Sequence, residues 1–203
     1  NIFVKVTATV LASVLITSMS MFLISSYYAR GGFEAEAKEN IKLFQSVVDK
    51  EVKMHQANVL RAATSLAQNP NLAQGLTNSD VPALRALMKH QMKIFGAETA
   101  FVTDSKGVII ARGHSDQAGD NAADRHSVAQ ALAGKASASI ERGKIVKFAI
   151  LAAHPIERGD TVIGCVALGI GIASESFVDE IKDLTGLENT IFDGDTRAAT
   201  TIM

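Results

Sequence analysis

The sequence has a single cysteine, no tryptophan and almost no net charge. Cys165 cannot close an internal disulfide, and its place in an apolar, strand-like run reads as a small core residue rather than a nucleophile. A formal net charge of −1 provides no global field to attract nucleic acid, so no nucleic-acid partner is expected. There is no nucleophile–base pair, no P-loop and no glycine-rich dinucleotide turn, since Gly164, Gly169 and Gly171 fall inside a strand-like run instead of opening a helix. These absences argue against an enzyme: no catalytic residue and no cofactor is assigned. His114, Asp116, Asp120, Asp124 and His126 are metal-ligand types, but their spacing matches no zinc or calcium pattern and reads as a solvated loop. No metal is assigned.

What the chain does have is an uncharged apolar run between Lys5 and Arg30. As a helix, residues 6–29 would reach about 36 Å, against roughly 30 Å of bilayer hydrocarbon. Tyr27 and Tyr28 stand where an interfacial aromatic belt would lie. The length favours a retained anchor over a cleaved signal peptide, whose apolar region is about 7–15 residues. Lys5 and Arg30 flank the run on opposite sides, so charge alone leaves the orientation open. Residue 1 is Asn, and the sequence reads as part of a longer chain.

After Gly31-Gly32 charges appear, and Ile41, Phe44, Val48, Val52, His55, Val59, Ala62 and Leu66 recur in steps of three and four. That is one stripe of a long amphipathic helix, a stalk about 50 Å long. His55 within it reads as a packing residue. Asn69-Pro70-Asn71 ends the helix. A second helix is expected from Ser79-Asp80, with Pro82 in its first turn, Leu84, Leu87, Met88, Met92 and Phe95 on one side, and Gly96 closing it.

The stretch Thr99 to His114 then reads as a β-hairpin about Asp104-Ser105-Lys106-Gly107, with Arg112 and His114 on alternate residues and therefore on one face. A polar loop leads to a short helix from His126 to Ala133. Strand-like runs follow at Ala136–Glu141, Ile145–Ala153 and Thr161–Gly171. Two strands, a helical crossover and three further strands predict an α+β fold with a five-stranded antiparallel sheet and helices on one face, the long helix covering the other. Arg112, His114 and Lys147 converge on one spot, joined by Arg125 and His126 at the start of the short helix, where N–H groups favour an anion. Such a basic cluster needs a negative partner, either a ligand carboxylate or one of Asp116, Asp120 and Asp124.

The apolar anchor, the long helix, FVTDSKGVIIARGH, AGDN at 118–121, SVAQALAGKAS at 127–137, KFAILAAHPI at 147–156 and VIGCVALGIGI at 162–172 together resemble the extracytoplasmic sensor region of bacterial methyl-accepting chemotaxis proteins of the Cache (PAS-like) superfamily. The resemblance implies a cytoplasmic stub at 1–4, a transmembrane helix at 5–29 and a stalk with its second helix at 30–97. A membrane-distal Cache module follows at 98–172, then a linking helix at 173–187. NTIFDGDTRAATTI repeats the layout of the first hairpin, and 188–203 would open a second, membrane-proximal module, as in double-Cache sensors. A hairpin added to the first sheet is the alternative. Residues 30–203 would then lie outside the cytoplasmic (inner) membrane. The implied partners are a small carboxylate ligand, a second copy of the chain through the stalk, and a cytoplasmic kinase and coupling protein. In similar domains basic residues hold the ligand carboxylate, at places filled here by Arg112, His114, Arg125, His126 and Lys147. The Arg-x-Trp of amino-acid-binding Cache receptors has no counterpart, which favours an organic acid over a free amino acid. A sensor histidine kinase, a cyclic-dinucleotide enzyme or a structural ectodomain are the alternative outputs.

Overall fold

The computed structural model describes residues 2–143 and 148–202, and the chain divides into two units, 1–46 and 47–203. Helix α1 spans Ile2–Ala67 and continues through Gly31 and Gly32. In the first unit its segment Lys5–Tyr28 has a mean hydropathy of 1.9 and is long and apolar enough to cross a membrane. The hydroxyls of Thr7, Thr9, Ser13, Thr17 and Ser20 all donate to carbonyls three or four residues back, at 2.8–3.0 Å. Helical bonding of this kind satisfies polar side chains that lipid could not.

In the second unit α1 ends where the sequence predicts. Asn69 caps the short helix α2 (Pro70–Thr77) by accepting from the Asn71 N–H at 3.0 Å. Helix α3 (Val81–Phe95) begins at Asp80, which accepts from the Ala83 N–H at 3.1 Å, and ends at Gly96, left-handed at φ 62°. Strands β1 (Thr99–Asp104), β2 (Ile109–Arg112), β3 (Ser137–Glu141), β4 (Ala149–Arg158) and β5 (Thr161–Gly171) form one antiparallel sheet in the order β2-β1-β5-β4-β3. Helix α4 (His126–Leu132) lies between β2 and β3 in sequence.

Strand β4 departs from the expected run, starting at Ala149 and continuing through Pro155 to Arg158; Ile145 to Lys147 lie outside the described residues. Proline is tolerated because β3 pairs only with Ala149 to Ala153. Beyond that point β4 has β5 on one side and no strand on the other, and a missing N–H breaks no ladder there.

The two faces of the sheet carry different cover. Ala100, Val102, Ile150, Ala152, Val166 and Leu168 pack with Val59, Ala63 and Leu66 of α1, Leu72 of α2, and Leu84 and Met88 of α3. Phe101, Leu151, Ala153, Cys165 and Ala167 face the other way, onto Val128 and Ala131 of α4. The long helix therefore shares a face with α2 and α3, and α4 covers the opposite one, contrary to the sequence expectation. The reason is that α3 has the same i, i+3, i+4 apolar spacing as α1, and both faces of β1, β4 and β5 are apolar. Helix α5 (Glu175–Thr185) follows, capped by Ser174 and ended by Gly186. Strands β6 (Thr190–Asp193) and β7 (Thr196–Thr200) form a separate two-stranded sheet, not an extension of the first.

Gly113, between Arg112 and His114, lets α3 approach β2: a Cβ there would stand 2.8 Å from the Met88 carbonyl carbon and 2.9 Å from the Lys89 nitrogen. Because these are helix backbone atoms, Gly113→Ala should cost about 1–3 kcal/mol. Denaturant unfolding of the full chain checks this; an unchanged midpoint would mean that α3 gives way freely.

Candidate functional site

A cavity of about 380 Å³ opens on the α4 face of the sheet, lined by residues of β1, β2, β3 and β4 and of the loop between β2 and α4. That volume suits a small molecule. Phe101, Ala149 and Leu151 supply its apolar wall, and Thr99, Arg112, His114, Arg125 and Glu141 bring polar groups to it.

Arg112 reaches this face through a bulge. Val102 pairs with Ala111 and Thr103 with Ile109, so Ile110 is an extra residue in β2, and Arg112 falls opposite Phe101. The side chain is 9% exposed. Its Nη1 donates to Asp120 Oδ1 at 2.7 Å and to the Gln117 carbonyl at 2.8 Å, while Nη2 donates to Asp120 Oδ2 at 2.7 Å. Three of the five guanidinium N–H groups are so engaged, and the edge formed by Nε and the second Nη2 hydrogen has no bond among the described residues. The bidentate pair ties the loop down on β2, and Arg85 ties it to α3 by pairing with Asp116 at 2.8 Å.

His114 is half-buried, and its Nδ1 accepts from the Ala100 N–H at 3.4 Å and lies 3.3 Å from Thr99 Oγ1. Nδ1 as acceptor leaves the proton on Nε2, so the neutral ring offers one donor. Burial lowers its pKa below the ordinary 6.5, and the positive charges of Arg112 and then Arg125 lower it further. Arg125 lies over the Phe101 ring at 5.5 Å, a cation–π contact that holds its charge at the cavity wall.

Of the expected residues, Arg112, His114 and Arg125 line one cavity. His126 is exposed and is not among the lining residues, and Lys147 lies outside the described residues. Two acidic groups share the cavity, and only the second was not expected. Asp120, one of the three aspartates offered by the sequence, is on Arg112. Glu141, at the end of β3, is the other: its Oε1 accepts from the Ser127 N–H at 2.8 Å and from Ser139 Oγ at 2.9 Å. The start of α4 thus already has a carboxylate from the protein. Its Oε2 is buried and has no hydrogen-bond partner among the described residues. The sequence signal for it was weak, a single acid ending an alternating strand. Cys165 is buried against Thr103 on this side of the sheet, and burial pushes its thiol up to about 11, so it stays protonated.

A family profile described as "Double sensory domain of two-component sensor kinase" matches residues 34–203. The chain belongs to this double-Cache family, dCache_3. No curated protein sequence matches it. Among solved structures, the sensor domain of the V. cholerae histidine kinase DctB aligns with a TM-score of 0.58 at 14% identity, over 68% of this chain and 55% of that one. The E. coli DcuS sensor domain aligns at 0.56 and 20% identity, over 67% and 98%. The ligand-binding domain of the Campylobacter jejuni chemoreceptor Tlp3, in complex with 4-methylisoleucine, aligns at 0.52 and 15% identity, over 80% and 67%. This chain therefore spans about half the length of the DctB sensor domain. These likenesses are of fold. Cache domains are extracytoplasmic, ligand-binding sensor modules of membrane receptors, and this chain carries one apolar helix of membrane-spanning length ahead of its module.

Because the folded pKa of His114 lies below 6.5, the unfolded chain takes up that proton first. The contribution is fully present above pH 6.5 and is lost as the pH falls from there towards the folded pKa. Unfolding at pH 7.5 and pH 5 should therefore show a smaller acid loss for His114→Gln than for the unsubstituted chain. Equal losses would place the pH dependence elsewhere.

Proposed function

We propose that the cavity beneath the β2–α4 loop is the ligand site of a transmembrane receptor's sensing region, and that its ligand is a small organic acid. One observation carries this: Arg112, Arg125 and His114 line a single cavity of ligand size with Phe101, and Arg112 has an edge with no bond among the described residues. Arg112 and Arg125 supply the charge, and the open edge presents two N–H groups side by side, as a carboxylate requires. Glu141 refines the ligand. Its buried Oε2 needs a donor, so an acid that also carries a hydroxyl or amino group satisfies both ends of the cavity.

The wider reading follows from the family and the anchor. Residues 30–203 would stand outside the cytoplasmic membrane, with α5, β6 and β7 leading into a second module and the stalk pairing with that of a second copy. The sequence resemblance favours a chemoreceptor, acting on a cytoplasmic kinase through a coupling protein. The family's description and the two kinase sensor domains among the structural neighbours favour a histidine kinase output equally well.

The test is thermal unfolding of the full chain in detergent against small organic acids, with hydroxy and amino acids included. A ligand at about 100 times its Kd adds about 2.7 kcal/mol to native stability. Arg125→Ala should weaken the active compound by at least about ten-fold with little change in the ligand-free midpoint, since it removes a charged donor that holds no acid among the described residues. Arg112→Ala should lose both binding and stability, because it removes the bidentate pair that ties the loop to β2. An active compound whose binding ignores both substitutions would place the site elsewhere.

A further inference from the structure

Away from that cavity, on the face covered by α1, three ligand-type side chains meet between α1 and α5. Glu51 and His55 are one helical turn apart on α1 and share a face. Glu180 is on α5, whose Phe177, Val178 and Ile181 are buried. The His55 ring lies 5.8 Å from the Phe177 ring, and its Nε2 is 3.2 Å from Glu180 Oε2. One ligand atom from each of Glu51, His55 and Glu180 lies within 4.8 Å of the other two.

A second observation separates this cluster from an ordinary surface pair. Glu51 is only 8% exposed, and its Oε2 is buried without a hydrogen-bond partner among the described residues. A carboxylate removed from water and left unpaired is costly. The imidazole beside it is engaged with Glu180, and no other base is bonded to Glu51 among the described residues. What the arrangement lacks is positive charge at the point where the three side chains converge.

We infer that Glu51, His55 and Glu180 form a divalent metal site of the zinc type that joins α1 to α5. Two carboxylates balance a dication, and a mixed oxygen and imidazole set suits zinc better than calcium or magnesium, which take oxygen alone. Zinc–ligand bonds of about 2.0–2.2 Å put tetrahedral ligands roughly 3.4 Å apart, so separations of up to 4.8 Å here must close by up to about 1.4 Å. Glu180 can make that movement, being partly exposed. The fourth position is left to water. The site lies beside a second cavity of about 340 Å³, lined in part by His55, Phe177 and Glu180, which gives an ion a way in. The bound ion would hold the stalk helix to the helix that leads into the second module.

The test uses the full chain in detergent, stripped with chelator and titrated with Co2+ and then Zn2+. The expected result is one equivalent of Co2+ with visible d–d absorption, displaced by Zn2+, and a higher melting temperature with Zn2+. His55→Gln and Glu180→Gln should each weaken binding by at least about ten-fold, because each removes one of three protein ligands. Glu180→Gln alters a partly exposed residue, so it separates lost binding from lost folding, which far-UV dichroism checks; His126→Gln, on the surface, should change nothing. Absence of stoichiometric binding, or binding that survives both ligand substitutions, would overturn the inference.

Discussion

The geometry of the candidate site depends on one extra residue in β2. Without the bulge at Ile110, strict alternation would put Arg112 on the face opposite Ile109, against α3. With it, Ile109 and Arg112 both face α4, and Ile110 and Ala111 both pack towards α1 and α3. A guanidinium on the helical face would have to displace Leu84 or Met88, both fully buried. On the α4 face it meets the rim of a cavity and Asp120 instead. The apolar packing of one face and the polar chemistry of the other thus come from a single shift in register.

The same shift explains how much of the protein was legible in its sequence. The long helix and its end before Pro70, the caps of α3 at Asp80 and Gly96, and the hairpin about Asp104 are local signals, and all appear where the residues place them, whereas Ile41 of the stalk stripe is exposed. The pairing of Arg112 and His114 on one side was also legible, because alternate residues stay together whichever face they take. Which face was not legible, since a bulge leaves no mark in an apolar run such as Val108 to Ala111. Neither was the choice between ligand and Asp120 for Arg112: the loop offers three aspartates, and only the fold selects one. Glu141 reaches the cavity because β3 pairs with β4, a partnership set by the whole sheet. His55 was read as packing, which its contact with Phe177 supports, but its proximity to Glu180 spans 125 residues and no spacing rule could show it.

The acids in the candidate cavity change the ligand argument more than the bases do. With only Arg112, Arg125 and His114 in view, the site reads as a plain anion trap. Asp120 takes the end of the Arg112 fork, and Glu141 takes the N–H of Ser127 at the start of α4. Among the described residues the charges of Arg112, Arg125, Asp120 and Glu141 then balance, and the pKa of His114 is lowered. On the proposed reading, such a cavity would select by matching donors with acceptors more than by net attraction, and would discriminate against an acid lacking a donor for Oε2.

The candidate cavity and the Glu51–His55–Glu180 cluster lie on opposite faces of one sheet, and β5 connects them. Its Ala167 belongs to the cluster of buried residues behind the cavity, and its Leu168 to the cluster packed against α1. After Gly171, whose N–H is held by Glu98 Oε1 at 3.0 Å, the chain turns directly into α5. A displacement of β1 or β4 by a ligand would therefore meet β5 through backbone pairing on both sides, and α5 would receive it at its first turn. Packed layers have discrete arrangements, and a bias of about 1–3 kcal/mol is enough to move such an equilibrium. An ion shared by α1 and α5 would oppose that movement. By reciprocity, a ligand that favours the displaced α5 would weaken the ion's binding by the same factor that the ion weakens the ligand's. Metal and ligand would then act as two inputs to one helix pair, linked through the strand that forms the centre of the sheet.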